Sequence, residues 1–426
     1  MADVYSRRVS FNEKLYLASD SKVLGFCIQI VMEGQGPSDA SSTSSSTALS
    51  SSSTALSSSA SSSASSSASS TALSSAALTT AVAAAAVANP GSRLVLRGVL
   101  GFARWVATGP VPPVRVLTGW TDDVPPPDLE QWLPPATGPT CEVVLCPGKP
   151  DRLVFRCFHG VMDARGLLHF AEDVFRSLRG EPLVGSDCTL NDTEMVRSLS
   201  SQTRPMLKGE RLAVTTTTTG PAKASAMIHQ RFTIEKPATS LVARIAATLA
   251  RHATQFHTTP TRVMVPVDLR NYQKSVRATG NMTCPLFLEV DGAADWKAVQ
   301  KDIVKRLVAK EPIKLDPTER WAVWFPIWAI RILFGLWNGA HIRSRRFPAS
   351  ALVSHMALPT ADALCCNGFH VNGAYFLPNQ DNFLPLVVAI ISDADRASIV
   401  VSAPGALVDV AQLTAVCASI RHAATG

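Results

Sequence analysis

Residues Arg152-Leu-Val-Phe-Arg-Cys-Phe-His159-Gly-Val-Met-Asp163-Ala-Arg-Gly166 hold the side chains best suited to chemistry. Leu153, Phe155, Cys157 and His159 share one parity of a period-2 pattern, so a strand would aim the imidazole at the same apolar side as the residues before it. Asp163 follows four residues later, and Gly166 precedes a helical pattern with Leu167, Phe170, Val174 and Leu178 on one face. The unit reads strand, histidine turn, helix. A histidine fixed at a strand end can take a proton from a hydroxyl or amine near neutral pH, which makes His159 a candidate general base. The competing reading is a core histidine satisfied by backbone carbonyls. Cys157, two residues earlier on the same strand face, raises a Cys-His nucleophile pair. A small buried thiol packing beside the strand is the expected state, because free cysteine is among the most buried residue types. His169 and Asp173, with Arg176 close by, read as a solvated helical face.

Those elements need a frame, and the rest of the chain supplies further matching segments. Arg262-Val-Met-Val-Pro-Val-Asp268-Leu-Arg270 is followed by Thr279-Gly280-Asn281, the chain opens with Val9-Ser-Phe-Asn-Glu-Lys-Leu-Tyr16, and a late segment runs Ala351-Leu-Val-Ser354. With His-x-x-x-Asp before Gly, this set resembles the condensation-domain-like acyltransferases. That superfamily includes nonribosomal peptide condensation domains, polyketide-associated acyltransferases, wax ester synthases and the chloramphenicol acetyltransferase fold. The resemblance covers nearly the whole chain apart from one low-complexity insert. It implies an α/β fold of two chloramphenicol-acetyltransferase-like half-domains, α+β sandwiches forming a V around a central channel.

It also implies acyl transfer from an acyl-CoA or phosphopantetheinyl carrier-protein thioester to a hydroxyl or amine, with His159 as base and no bound cofactor or metal. Asp163 and Arg270 become a structural ion pair that holds the His159 loop, while Gly166, Asn281 and Ser354 support the turn and the channel. Three positions depart from the family pattern: Phe158 stands where a second histidine is common, Ala164 replaces the usual glycine, and His355 stands in place of asparagine after Ser354. If position 164 needs positive φ, its Cβ adds strain, and Gly166 would have to relieve the turn. A catalytically inactive binder of a carrier protein or hydrophobic metabolite is the rival reading, and Ala164 is its main support.

Composition bounds the remainder. A chain of 426 residues is long enough for two globular units, expected at 1–197 and 227–426 with a linker at 198–226, where Thr215 to Thr219, Gly220 and Pro221 break every periodic pattern. Residues 38–75 are almost entirely Ser, Ala and Thr and cannot bury enough apolar surface to fold independently, so they form a flexible insert that loop-closure entropy lets the fold carry. Ala76 to Ala88 should be the first helix of the N-terminal half, stopped by Asn89-Pro90-Gly91. The nine cysteines show no C-x-x-C pair, which points to reduced thiols in a cytoplasm and to no metal site. Met1 to Lys14 lacks a signal-peptide pattern, so export is not expected, and a monomer is.

A net charge of +7 is spread along the chain without a nucleic-acid signature and would suit the phosphates of coenzyme A or a carrier. Ile342-Arg343-Ser-Arg345-Arg346, the densest basic cluster, reads as a solvated turn. Trp321 to Trp337 is apolar apart from Arg331 yet too short and interrupted to span a membrane. It is expected to be a helix packed against the rest of the C-terminal half, with an acyl-channel lining or peripheral membrane contact as alternatives.

Overall fold

The computed structural model describes residues 4–20, 26–35, 73–99, 102–121, 124–215, 227–322, 324–378 and 384–425. Most of the Ser/Ala-rich insert and residues 216–226 of the expected linker lie outside them.

Along the N-terminal half run β1 (Ser6–Arg8), α1 (Phe11–Ser19), β2 (Cys27–Gln35), α2 (Ser75–Ala88), β3 (Val95–Arg97), β4 (Arg104–Val106), β5 (Val114–Val116), β6 (Cys141–Cys146), β7 (Asp151–Phe158), α3 (Ala164–Leu178) and α4 (Asp192–Leu199). The Ala-rich helix is therefore the second, not the first. The opening segment already forms α1, closed by a reciprocal capping box between Ser10 and Glu13. After β8 (Arg211–Leu212) come β9 (Met227–Glu235), α5 (Leu241–Ala253), β10 (Thr261–Asp268), β11 (Thr283–Val290), α6 (Trp296–Val308), α7 (Glu319–Ala322) and α8 (Ile327–Ser344). The chain ends with β12 (Arg346–Phe347), β13 (Ala351–Ala357), β14 (His370–Phe376), β15 (Val387–Ser392), β16 (Arg396–Pro404) and α9 (Val410–Thr425).

Two large sheets organise these elements. One is five-stranded in the order β14-β2-β7-β6-β5, the other six-stranded in the order β11-β10-β13-β15-β16-β9. Alternation along β7 sends Leu153, Phe155 and Cys157 into the core beneath α2 and α3, and Val154 into a smaller cluster on the opposite face with Val31, Val144 and Tyr375. The second sheet packs its Val263, Val353, Val388 and Ile399 against α5 and α9. The halves are not independent, because β14 crosses over and pairs antiparallel with β2 in the first sheet.

Two local expectations are corrected. Asp173 is fully buried, not solvated. It accepts from Asn89 Nδ2 at 2.8 Å, Arg277 Nη1 at 2.9 Å and the backbone N–H groups of Val184 and Gly185 at 2.9 and 3.0 Å. Those partners satisfy the carboxylate and hold its pKa below the ordinary value against the cost of burial. The Trp-rich segment breaks at Pro326, and α8 packs across α1 of the N-terminal half, while only its C-terminal end, through His341 and Ile342, meets β12 and the core of its own half. Arg331 fixes the contact by donating to the carbonyls of Leu17 at 2.9 Å and Asp20 at 3.1 Å, at the end of α1.

Candidate active site

β7 delivers His159 one residue beyond its last ladder position. The His159 N–H donates to Phe26 O at 2.9 Å, extending the β2–β7 pairing that ends at Cys27 and Phe158. Tyr16 of α1 stacks on the imidazole with centroids 4.3 Å apart and planes at 14°, and Phe26 lies at 5.4 Å and 22°. The residue as a whole is half-buried, with its ring packed on these two aromatics. Burial drives its pKa from the ordinary 6.5 to about 4, with its own carbonyl, Asp163 and Met162 opposing only part of the shift. The imidazole is therefore neutral at pH 7 and able to accept a proton.

The loop after it is fastened from both sides. Asp163 is the N-cap of α3, its Oδ1 accepting from the Gly166 N–H at 2.7 Å. The same carboxylate accepts from Arg270 Nη1 and Nη2, each at 3.0 Å, from the Met282 N–H at 2.7 Å and from Thr283 Oγ1 at 3.0 Å. Burial alone would raise the Asp163 pKa; the Arg270 charge and these donors outweigh it and keep the carboxyl ionised. From the other side, Arg7 donates to Val161 O at 3.0 Å while pairing with Glu13. Asn281, also buried, donates from Nδ2 to His159 O at 3.1 Å and stands 3.4 Å from His159 Nδ1.

Gly166 has another function than the one expected from the turn. Its φ is not positive, and Ala164 simply opens α3, so neither position carries the strain expected of it. A Cβ built on Gly166 would lie 2.1 Å from Thr279 O: the glycine lets the start of α3 touch the backbone of the Thr279–Asn281 segment. Ser354 sits on β13 opposite Ala389, and no hydrogen bond joins it to His159, Asp163 or Arg270. Its neighbour His355 contacts Ser392 Oγ at 2.7 Å. Cys157 is fully buried and faces the core; burial above all pushes its thiol pKa well above the ordinary value, the opposite of an activated nucleophile.

The structure thus brings His159, Asp163, Gly166, Arg270 and Asn281 together and leaves Ser354 outside their hydrogen-bond network. Sequence reasoning missed the aromatic pair Tyr16 and Phe26, and it missed Arg277, which ties the segment after Arg270 to the middle of α3 through Asp173 and His169 O. The spacing of Arg270 and Arg277, seven apart in one segment, was the available signal.

No protein-family model and no curated protein matches the chain. Solved structures do. The starter condensation domain of rhizomide synthetase RzmA, in complex with C8-CoA and Leu-SNAC, superposes with a TM-score of 0.62 at 14% identity, covering 98% of this chain and 94% of that one. The epimerization domain from the third module of tyrocidine synthetase B superposes with a TM-score of 0.58 at 12% identity, covering 99% and 96%. Over nearly its full length, this chain has the fold of condensation domains.

Proposed function

We propose that the protein transfers an acyl group from a coenzyme A or carrier-protein thioester to a hydroxyl or amine acceptor, with His159 as general base. The observation that carries this reading is a neutral imidazole at the tip of β7, on a loop immobilised by the buried Asp163–Arg270 pair. The acceptor oxygen or nitrogen attacks the thioester carbonyl while His159 takes its proton. The tetrahedral intermediate then collapses, the C–S bond breaks, and the imidazolium returns the proton to the departing sulfur. Holding both reactants beside one fixed base supplies much of the rate. Asp163 and Arg270 act by positioning: both are saturated with partners inside the protein and have no valence left for substrate.

The binding of C8-CoA by the RzmA domain supports a coenzyme A thioester as donor class, and its Leu-SNAC complex supports an amine acceptor. The inactive-binder reading loses its main support, because Ala164 begins α3 without positive φ. Thiol release from a panel of acyl-CoA donors, with alcohol and amine acceptors, tests the proposal. Acceptor-dependent release by the wild type and not by His159→Ala is expected; equal release by both would reject His159 as the base.

A further inference from the structure

The face of α8 turned away from α1 is apolar and bare. Trp328, Ile332 and Leu336, spaced four apart on one side of the helix, are 68%, 56% and 70% exposed, and Leu333 beside them is 59% exposed. Gly335 and Gly339, on the same side, face open space. The surface continues beyond the helix, since Trp324, 61% exposed, meets Phe102 edge-on at 6.2 Å, and Phe102 and Val99 are themselves more than two-thirds exposed. Isolated exposed apolar residues are ordinary; a contiguous patch of this kind marks a contact surface.

Charge identifies what it contacts. Residues 324–347 and 95–106 contain no Asp or Glu, while Arg343, Arg345 and Arg346 close the C-terminal end of α8 and Arg97 and Arg104 flank Val99 and Phe102. Arg343 follows Leu336 by seven residues and shares its face. The nearby acid Glu210 is turned to His341, on the buried side, at 3.4 Å. A second copy of this surface would bring like charges together. The Ser/Ala-rich residues 38–72, with Leu49 and Leu56 as their only large apolar side chains, are too polar to cover it. Tryptophans on an apolar face ending in arginines match a helix lying in the interface of an anionic bilayer. Among the described residues no helix is long and apolar enough to cross one.

We propose that the exposed face of α8, with Val99 and Phe102, docks the protein on an anionic lipid membrane, the helix lying in the plane of the surface. This does not rest on the acyl-transfer reading, and its test reads no catalysis. The full chain is floated with phosphatidylcholine vesicles with and without phosphatidylglycerol. Binding to the anionic vesicles that weakens with salt is expected. The combination Trp328→Glu, Ile332→Glu and Leu336→Glu should reduce it at least tenfold with the melting temperature unchanged. Arg343→Glu with Arg346→Glu should remove the preference for anionic lipid. A wild type that stays in the aqueous fraction with both vesicles overturns the proposal. So does flotation that survives the triple substitution, or light scattering that shows a dimer split by that substitution in a chain that does not float.

Discussion

Arg270 and Asp163, 107 residues apart in sequence, meet in a two-point ion pair with both Nη–Oδ contacts at 3.0 Å. The remaining guanidinium protons go to Ala278 O at 2.8 Å, Gly280 O at 2.7 Å and Asp268 Oδ1 at 2.8 Å. One arginine thereby ties the N-cap of α3 to the end of β10 and to the segment that carries Asn281, whose side chain holds the His159 carbonyl. Only a planar, five-donor group can do this.

Asp163→Ala should leave Arg270 charged, buried and short of its main partner. A stability loss of about 3 to 5 kcal/mol is expected in denaturant titrations, accompanied by reduced turnover. Arg270→Lys should also destabilise, because a point charge cannot replace the two-point contact. Unchanged melting with lost turnover would instead assign Asp163 a direct part in the chemistry.

His159→Ala should lower kcat by roughly a hundredfold or more, the span of a general base. The melting temperature should change less than for Asp163→Ala, since no buried ion pair is broken. Thiol release beside a thermal melt checks both halves of this expectation.

The pH profile follows from the His159 environment. Its pKa is lowered to about 4, so the base is protonated, and activity lost, only as pH falls through that region. The acid limb of kcat/KM, which reports the free enzyme, should lie well below the 6.5 of a solvated imidazole. The same shift has a stability consequence of fixed sign. Between about 6.5 and 4 the unfolded chain binds the proton and the folded chain does not, so stability falls with falling pH across that window and is unaffected above it. An acid limb centred near 6.5 would show that the stacked ring is solvated in the working state.

Gly166→Ala should force the start of α3 away from Thr279, whose carbonyl oxygen would sit 2.1 Å from the new Cβ. A cost of about 1 to 3 kcal/mol and a slower enzyme are expected. Gly339→Ala, in open space on α8, is the control, and should be neutral or stabilising by up to about 1 kcal/mol. A tolerated Gly166→Ala would show that the two segments separate freely.

Local pattern was enough to read the strand, histidine turn and helix from Arg152 to Leu178, because a period of 2 passing into 3.6 needs no knowledge of distant residues. The motif resemblance went further and joined Asp163 to Arg270 across the chain. Patterning failed where a distant partner decided the outcome. His169 and Asp173 lie on the polar side of α3, which by itself reads as solvated, yet Arg277 and Asn89 arrive to bury Asp173. The apolar run of α8 is equally legible as a core helix, and only its seat on α1 shows that Trp328 and Leu336 are left bare. Nothing adjacent to Tyr16 or Phe26 announces a histidine between them. The sequence by itself determined which side chains could do chemistry and which elements carry them; tertiary structure alone decided their surroundings, because burial, ion pairing and stacking depend on residues a hundred or more positions away.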